Sequence, residues 1–357
     1  MKKIALSLTL VLVFVLLIFV GKYKSYFDPM TQRVVNFVKP IKKYNSKEDL
    51  IFDIGFNQPL ACKSLLPEIK TLTDFDKMFE TLVCADIGLD SVYDMVKINS
   101  QKQLDNNILK IDYAIGSEKF SAHVFYHPNA MYKNNASLII PASGEDVSWK
   151  MENNMPTKGY RLDDILKKYS DTYILIKPNE SVLALHHKGL KMSYDMIYAR
   201  LLNKGKSYSK LYMQHAIAVV KYLKLKHQTV ATFGLSQGGL ANVIVSEFAS
   251  PNYAWVCGGY SQLCDNYYYA GSNQIIANDI QEFIHSNYIK TKMKYSDTQY
   301  YFSYGKEDDD FYNYEYNHHD TEKSFKEVKN TNFVYFNDGH DYPYTQIEDF
   351  VKTNFKN

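Results

Sequence analysis

The stretch Thr229-Val-Ala-Thr-Phe-Gly234-Leu-Ser236-Gln-Gly238-Gly239 constrains this chain more than any other. A short apolar run, Val230 to Phe233, leads into Gly-x-Ser-x-Gly, and a helical spacing of Leu240, Val243, Ile244 and Phe248 follows. A strand that passes through this pentapeptide into a helix must turn sharply. The serine then sits at a strained position with its hydroxyl above the sheet, the arrangement called a nucleophile elbow. Glycine at 234 and 238 leaves out Cβ atoms that would collide with the turn and with the helix packed behind it. The backbone N–H of Gln237 opens the helix and can face a developing oxyanion.

Around this element the hydrophobic pattern alternates between strand and helix. Ile108 to Ile115 alternates and closes at Gly116-Ser117, and Phe120 to Tyr126 follows as its hairpin partner, with His123 as an ordinary strand residue. Ser137 to Ile140 and Asp171 to Ile176 are continuous apolar runs of the fully buried kind. Helical spacing covers Arg161 to Lys168 and Ser207 to Lys226. Beyond the elbow come strands at Tyr253 to Cys257, Gln299 to Gly305 and Asn332 to Phe336, and a last helix from Thr345 to Phe355. Strands alternating with helices predict an α/β fold, with a mostly parallel sheet covered on both faces. Residues 261–296 read as an insertion over the strand ends, and Lys47 to about Lys102 as a helical extension.

In such sheets reactive groups collect at the carboxyl ends of strands. Three candidates occupy that place: Ser236, Asp308 after the strand ending at Gly305, and His340 after the strand ending at Phe336. A serine hydroxyl needs a base to take its proton, and the base needs a carboxylate to hold its tautomer and stabilise its charged form. Asp308 is the chosen acid within the run Glu307 to Asp310, with Asp309 and Asp310 as alternatives. His318 and His319 read as surface residues, and His186, His187 and Tyr267 to Tyr269 as loop residues near the strand ends.

The order Ser, Asp, His resembles that of the α/β-hydrolase superfamily over roughly residues 105–357. The segment Ser207 to Gly239, the stretch Tyr-Gly-Lys-Glu-Asp308 and the ending Gly-His340-Asp-Tyr-Pro look most like the acetylxylan-esterase, dienelactone-hydrolase and prolyl-oligopeptidase-like branch. In that branch a first oxyanion donor comes from the loop after the third strand, usually His-Gly-x. Here the loop reads Pro141-Ala142-Ser143-Gly144, so Ala142 or Ser143 is the donor that the resemblance implies, with Gln237 as the second.

The N-terminus suggests where such a domain works. Met1-Lys2-Lys3 precedes an apolar run, Ile4 to Val20, that carries no charge and only Ser7 and Thr9 as polar members. As a helix it is about 25 Å long, enough for a thin bilayer. It ends in Gly21-Lys22-Tyr23-Lys24 without an Ala-x-Ala-like cleavage site. A signal anchor over 1–24 is therefore predicted, followed by a tether and helical extension over 25–105 and a catalytic domain over 106–357. The basic head keeps the N-terminus inside and the body outside the cytoplasm; cleavage of the segment would make the protein secreted. An oxidising compartment would let Cys62 pair with Cys84 and Cys257 with Cys264.

A net charge of +2 gives no nucleic-acid footprint. No His-Glu-x-x-His or Cys-x-x-Cys pattern calls for a metal, and the expected chemistry needs no cofactor. The expected reaction is hydrolysis of a carboxylic ester through an acyl-enzyme, with a small acyl ester or an acylated cell-surface glycan as substrate and the membrane as the other partner. The rivals are a serine peptidase acting on short peptides and a catalytically silent fold used for binding.

Overall fold

The computed structural model describes residues 96–355, apart from 181–207, 260–292, 309–320 and the single positions 106, 117, 145, 179 and 324. The anchor, the tether, most of the insertion, Cys62, Cys84 and Cys264 lie outside the described residues, as do His186, His187, Tyr267 to Tyr269, Asp309, Asp310, His318 and His319. Among the described residues no helix is long and apolar enough to cross a membrane.

The apolar runs become the strands of one sheet. In chain order they are β1 (Lys97–Asp105), β2 (Ile108–Ile115), β3 (Glu118–His127), β4 (Asn135–Ile140) and β5 (Asp171–Ile176). After them come β6 (Thr229–Leu235), β7 (Tyr253–Cys257), β8 (Gln299–Gly305) and β9 (Thr331–Phe336). The helices are α1 (Val147–Glu152), α2 (Leu162–Leu166), α3 (Tyr208–Lys224), α4 (Gln237–Ala249) and α5 (Tyr344–Asn354). Across the sheet the order is β1-β2-β3-β5-β4-β6-β7-β8-β9. The β1–β2, β2–β3 and β3–β5 pairs are antiparallel, and every pair from β5 to β9 is parallel. From β2 onward this is the sheet of the α/β-hydrolase fold.

One element departs from the sequence pattern. Lys97–Asp105, expected to belong to the helical extension, is the edge strand β1 and pairs with β2. In Lys97-Ile-Asn-Ser-Gln-Lys-Gln only Ile98 is apolar because an edge strand has little to bury, so no apolar alternation announces it. Helix α1 also went unpredicted, being a single short turn pair inside a loop.

Side chains alternate between the two faces along the central strands. Leu138, Ile140, Leu175, Val230 and Val256 join the core beneath α3 and α4. On the other face, the Trp255 ring lies 5.5 Å from Phe350 of α5, and the Phe125 ring 4.9 Å from Trp149 of α1. Both faces are thus covered, which is why β4 and β5 are buried at every position.

Two buried groups bear on conditions. Cys257, the last residue of β7, is fully buried and a free thiol, and Cys264, its expected partner, lies outside the described residues. Enclosure at the sheet's centre also pushes that thiol's pKa up. His215 of α3 is 3 % exposed, edge-on to Tyr113 at 6.0 Å. Burial, with the buried His123 as a lesser cause, pushes its pKa from 6.5 down to about 3. Below 6.5 the unfolded chain takes up a proton that the folded chain refuses, so stability falls as pH drops toward 3. The slope reaches about 1.4 kcal/mol per pH unit. Urea midpoints at pH 7 and pH 5 should therefore separate more for the parent than for His215→Leu. Equal separations would mean that His215 does not titrate this way.

Candidate active site

Strands β4 and β6 are neighbours, yet the chain leaves β4 for β5 on one side and β6 for β7 on the other. Loops at such a switch point diverge and open a crevice at the strand ends. The loop after β4 and the turn after β6 form its two walls.

The turn after β6 holds Ser236 at φ 57° and ψ −119°, a region that non-glycine residues avoid. Two bonds fix it there: Ser236 N–H donates to the Cys257 carbonyl at 2.9 Å, and Leu240 N–H donates to the Ser236 carbonyl at 3.0 Å. The flanking glycines are required by contact. A Cβ at 238 would lie 1.9 Å from the Ile140 carbonyl oxygen, and one at 234 would lie 2.1 Å from the Gly238 oxygen. Gln237 is buried and starts α4, whose aligned peptides place partial positive charge at the turn.

His340 lies in the loop between β9 and α5, and its Nδ1 is 2.6 Å from Asp308 Oδ2. The side chains are 10 % and 2 % exposed. A carboxylate can only accept, so the proton on that line belongs to Nδ1 and Nε2 is the basic nitrogen. Within the acidic run, Glu307 is exposed while Asp308 turns inward. Lys306 N–H donates to the Phe336 carbonyl and Glu307 N–H to the Asp338 carbonyl, both at 2.9 Å, which ties the two loops together.

Glycines 258 and 259 join this pair to the serine. Gly258 has φ +48°, and a Cβ there would lie 3.1 Å from His340 Nδ1 and 3.3 Å from Asp308 Oδ2. A Cβ on Gly259 would lie 2.2 Å from the Ser236 carbonyl oxygen. The imidazole, the carboxylate and the serine backbone therefore all crowd one dipeptide. Asp341 secures the histidine loop: its Oδ1 accepts from Gly159 N–H at 3.0 Å, Tyr342 N–H at 2.8 Å and Tyr344 Oη at 2.7 Å. Burial pushes its carboxyl pKa up, against those three bonds.

The opposite wall is Pro141 to Gly144, with Ala142 buried and Ser143 half-buried. Tyr212 Oη donates to the Pro141 carbonyl at 2.6 Å. Lys177 Nζ donates to the Ala142 carbonyl at 3.0 Å and to the Gly144 carbonyl. Glu180 Oε1 lies 3.4 Å from that ammonium, and both side chains are fully buried. Burial pushes the Glu180 carboxyl up, while Lys177 and the Ser148 N–H pull it back.

Of the residues singled out from sequence, Asp308 and His340 touch, Ser236 is joined to them through Gly258 and Gly259, Gln237 follows Ser236 at the start of α4, and Ala142 and Ser143 follow Pro141, whose carbonyl lies against Gly238. Lys177, Glu180 and Asp341 were missed. The one available signal was a lysine ending the apolar run Thr172 to Ile176, where a solvent-exposed strand end is the ordinary reading. Among the described residues no group of three His, Cys, Asp or Glu side chains is placed to hold a metal ion.

No protein-family model matches this chain, and no curated protein matches it. Among solved structures it is similar to a carbohydrate esterase family 15 glucuronoyl esterase from Caldicellulosiruptor kristjansonii. That likeness has 12% identity over 80% of this chain and 86% of that one, with a TM-score of 0.45. An acylaminoacyl peptidase from Pyrococcus horikoshii is similar at 10% identity over 73% of this chain and 50% of that one, TM-score 0.45. An esterase from Pyrococcus furiosus is similar at 10% identity over 74% and 91%, TM-score 0.39. At these identities the likeness is one of fold alone.

Proposed function

We propose that the chain is a serine hydrolase that cleaves carboxylic esters through an acyl-enzyme. The observation that supports this most is the buried 2.6 Å His340–Asp308 pair packed against Gly258, one residue from the backbone contact with a strained Ser236. Elements of no chemical use have little reason to keep a serine at positive φ, a strained state that persists only where its surroundings over-determine it.

In the proposed reaction His340 Nε2 takes the Ser236 hydroxyl proton as Oγ attacks the ester carbonyl carbon. The carbonyl π electrons move onto oxygen, and the oxyanion is met by the Gln237 N–H and a donor of the 142–143 loop. Collapse breaks the C–O bond to the alcohol, which leaves with the proton from His340. Water, deprotonated by the same histidine, then releases the acid and restores Ser236. Asp308 stays ionised and stabilises the imidazolium throughout.

Location rests on the apolar run Ile4 to Val20 and its basic head, which suit a body held outside the cytoplasm. A tethered enzyme reaches substrates near its own surface, so an acylated glycan of the envelope is the proposed substrate class. The test is labelling of the full-length chain by a fluorophosphonate, followed by turnover of p-nitrophenyl acetate, acetylated xylo-oligosaccharides and an acylated aminoacyl anilide. Labelling with ester turnover is the expected result. Anilide cleavage without ester turnover would move the reading to a peptidase, and a folded chain that does not label would leave a binding protein.

A further inference from the structure

The Lys177–Glu180 pair is charged, fully buried and attached to one wall of the crevice. Removing two ions from water is expensive, and apolar residues of like size would serve stability as well or better. What the pair adds is direction. Its ammonium reaches the Ala142 carbonyl at 3.0 Å and also the Gly144 carbonyl, so it grips two peptides of a single loop. Glu180 is itself fixed, since both its oxygens accept from Ser148 N–H at 3.3 and 3.2 Å, and Ser148 Oγ donates to the Leu175 carbonyl at 2.8 Å.

The sheet decides which way the gripped peptides point. The ladders end at Ile139↔Ile174 and Ile140↔Gly234, and the loop that follows keeps β5, with Lys177 just past its end, on one side and β6, with the elbow just past its end, on the other. In a trans peptide the C=O and the N–H point in opposite directions. The Ala142 carbonyl points at Lys177, on the β5 side, so the N–H of the same peptide, that of Ser143, points to the β6 side where the elbow stands. The preceding peptide is the other way round. Its carbonyl, on Pro141, lies 2.6 Å from where a Gly238 Cβ would be, so the Ala142 N–H points away from the elbow. The loop thus presents the Ser143 N–H to the crevice.

Building on the serine-hydrolase reading, we propose that Lys177, held by Glu180, is a positioning residue that sets Ser143 N–H as the loop-side oxyanion donor. The ammonium also polarises that peptide, which strengthens its N–H as a donor to a developing negative charge.

The test uses the full-length chain and the double variant Lys177→Met/Glu180→Gln. It removes both charges together, keeps volume, and leaves an amide oxygen for Ser148 N–H. Thermal melting first establishes the folded fraction, and fluorophosphonate titration the number of active serines. Per active serine, kcat for p-nitrophenyl acetate should fall about 10²-fold, the scale of one lost oxyanion donor, with KM within about twofold. Affinity for an arylboronic acid, whose tetrahedral adduct carries the oxyanion charge, should fall in step. Amide hydrogen exchange across 141–146 should quicken. A variant whose kcat per active serine matches the parent overturns the proposal, as does a loss that only tracks the folded fraction. A parent that neither labels nor turns over overturns the hydrolase reading instead. Exchange across 141–146 then decides by itself whether Lys177 holds the loop, and unchanged exchange overturns that as well.

Discussion

Replacing Ser236 by alanine should abolish fluorophosphonate labelling and lower ester kcat by about 10⁴- to 10⁶-fold, the scale seen when the nucleophile of a triad is removed. The residue would be that of the oxyanion donors and substrate binding alone. Folding should survive. Alanine meets the same backbone conformation, φ 57°, with no larger side chain, and the bonds that fix the turn are main-chain ones to Cys257 and Leu240. Ser236→Gly goes further, because it relieves backbone strain of roughly 1–3 kcal/mol. The glycine variant should be equally inert and should melt at or above the parent. Activity gone with stability unchanged or raised would mark a residue kept for chemistry. Turnover within tenfold of the parent in Ser236→Ala would place the nucleophile elsewhere.

Asp308→Asn should cost about 10⁴-fold in kcat, or about 5.4 kcal/mol of barrier, with little change in shape. The carboxylate accepts from His340 Nδ1 at 2.6 Å and so keeps Nε2 unprotonated. An asparagine can instead donate its N–H to Nδ1, which moves the ring proton to Nε2 and leaves no base facing the serine. It also leaves an imidazolium uncompensated beside a side chain that is only 2 % exposed. Asp309→Asn and Asp310→Asn should remain near the parent rate. Kinetics of the three variants decide among the acidic neighbours. A modest effect in Asp308→Asn with a collapse in either of the others would reassign the acid.

Much of this fold was legible because burial on two faces leaves an unmistakable record. Asn135–Ile140 and Asp171–Ile176 end in the apolar runs Leu138 to Ile140 and Tyr173 to Ile176 because helices cover both sides of them. The elbow was legible because its steric demands admit few residues: Gly238 faces the Ile140 carbonyl at a distance no Cβ could occupy. The edge strand β1 was not, since an edge has no inward pattern to write. Nor was the free state of Cys257, which an even cysteine number disguised.

By itself the sequence determined the α/β class, the strand–turn–helix around Ser236 and the placing of Ser236, Asp308 and His340 after strand ends, because these depend on periodicity and on local turn chemistry. Only the tertiary structure decided that Asp308 turns inward while Glu307 faces solvent, since a run of acids has no internal pattern and its choice is made by β9 and the Phe336–Asp338 backbone it binds. Only the tertiary structure joined Lys177 to Ala142 and Gly144, because that contact runs between strands β4 and β5, separated along the chain by α1 and α2. A lysine reads as a solvent-facing residue until the sheet encloses it. What local physics dictates can be read along the chain, and what a parallel sheet brings side by side cannot.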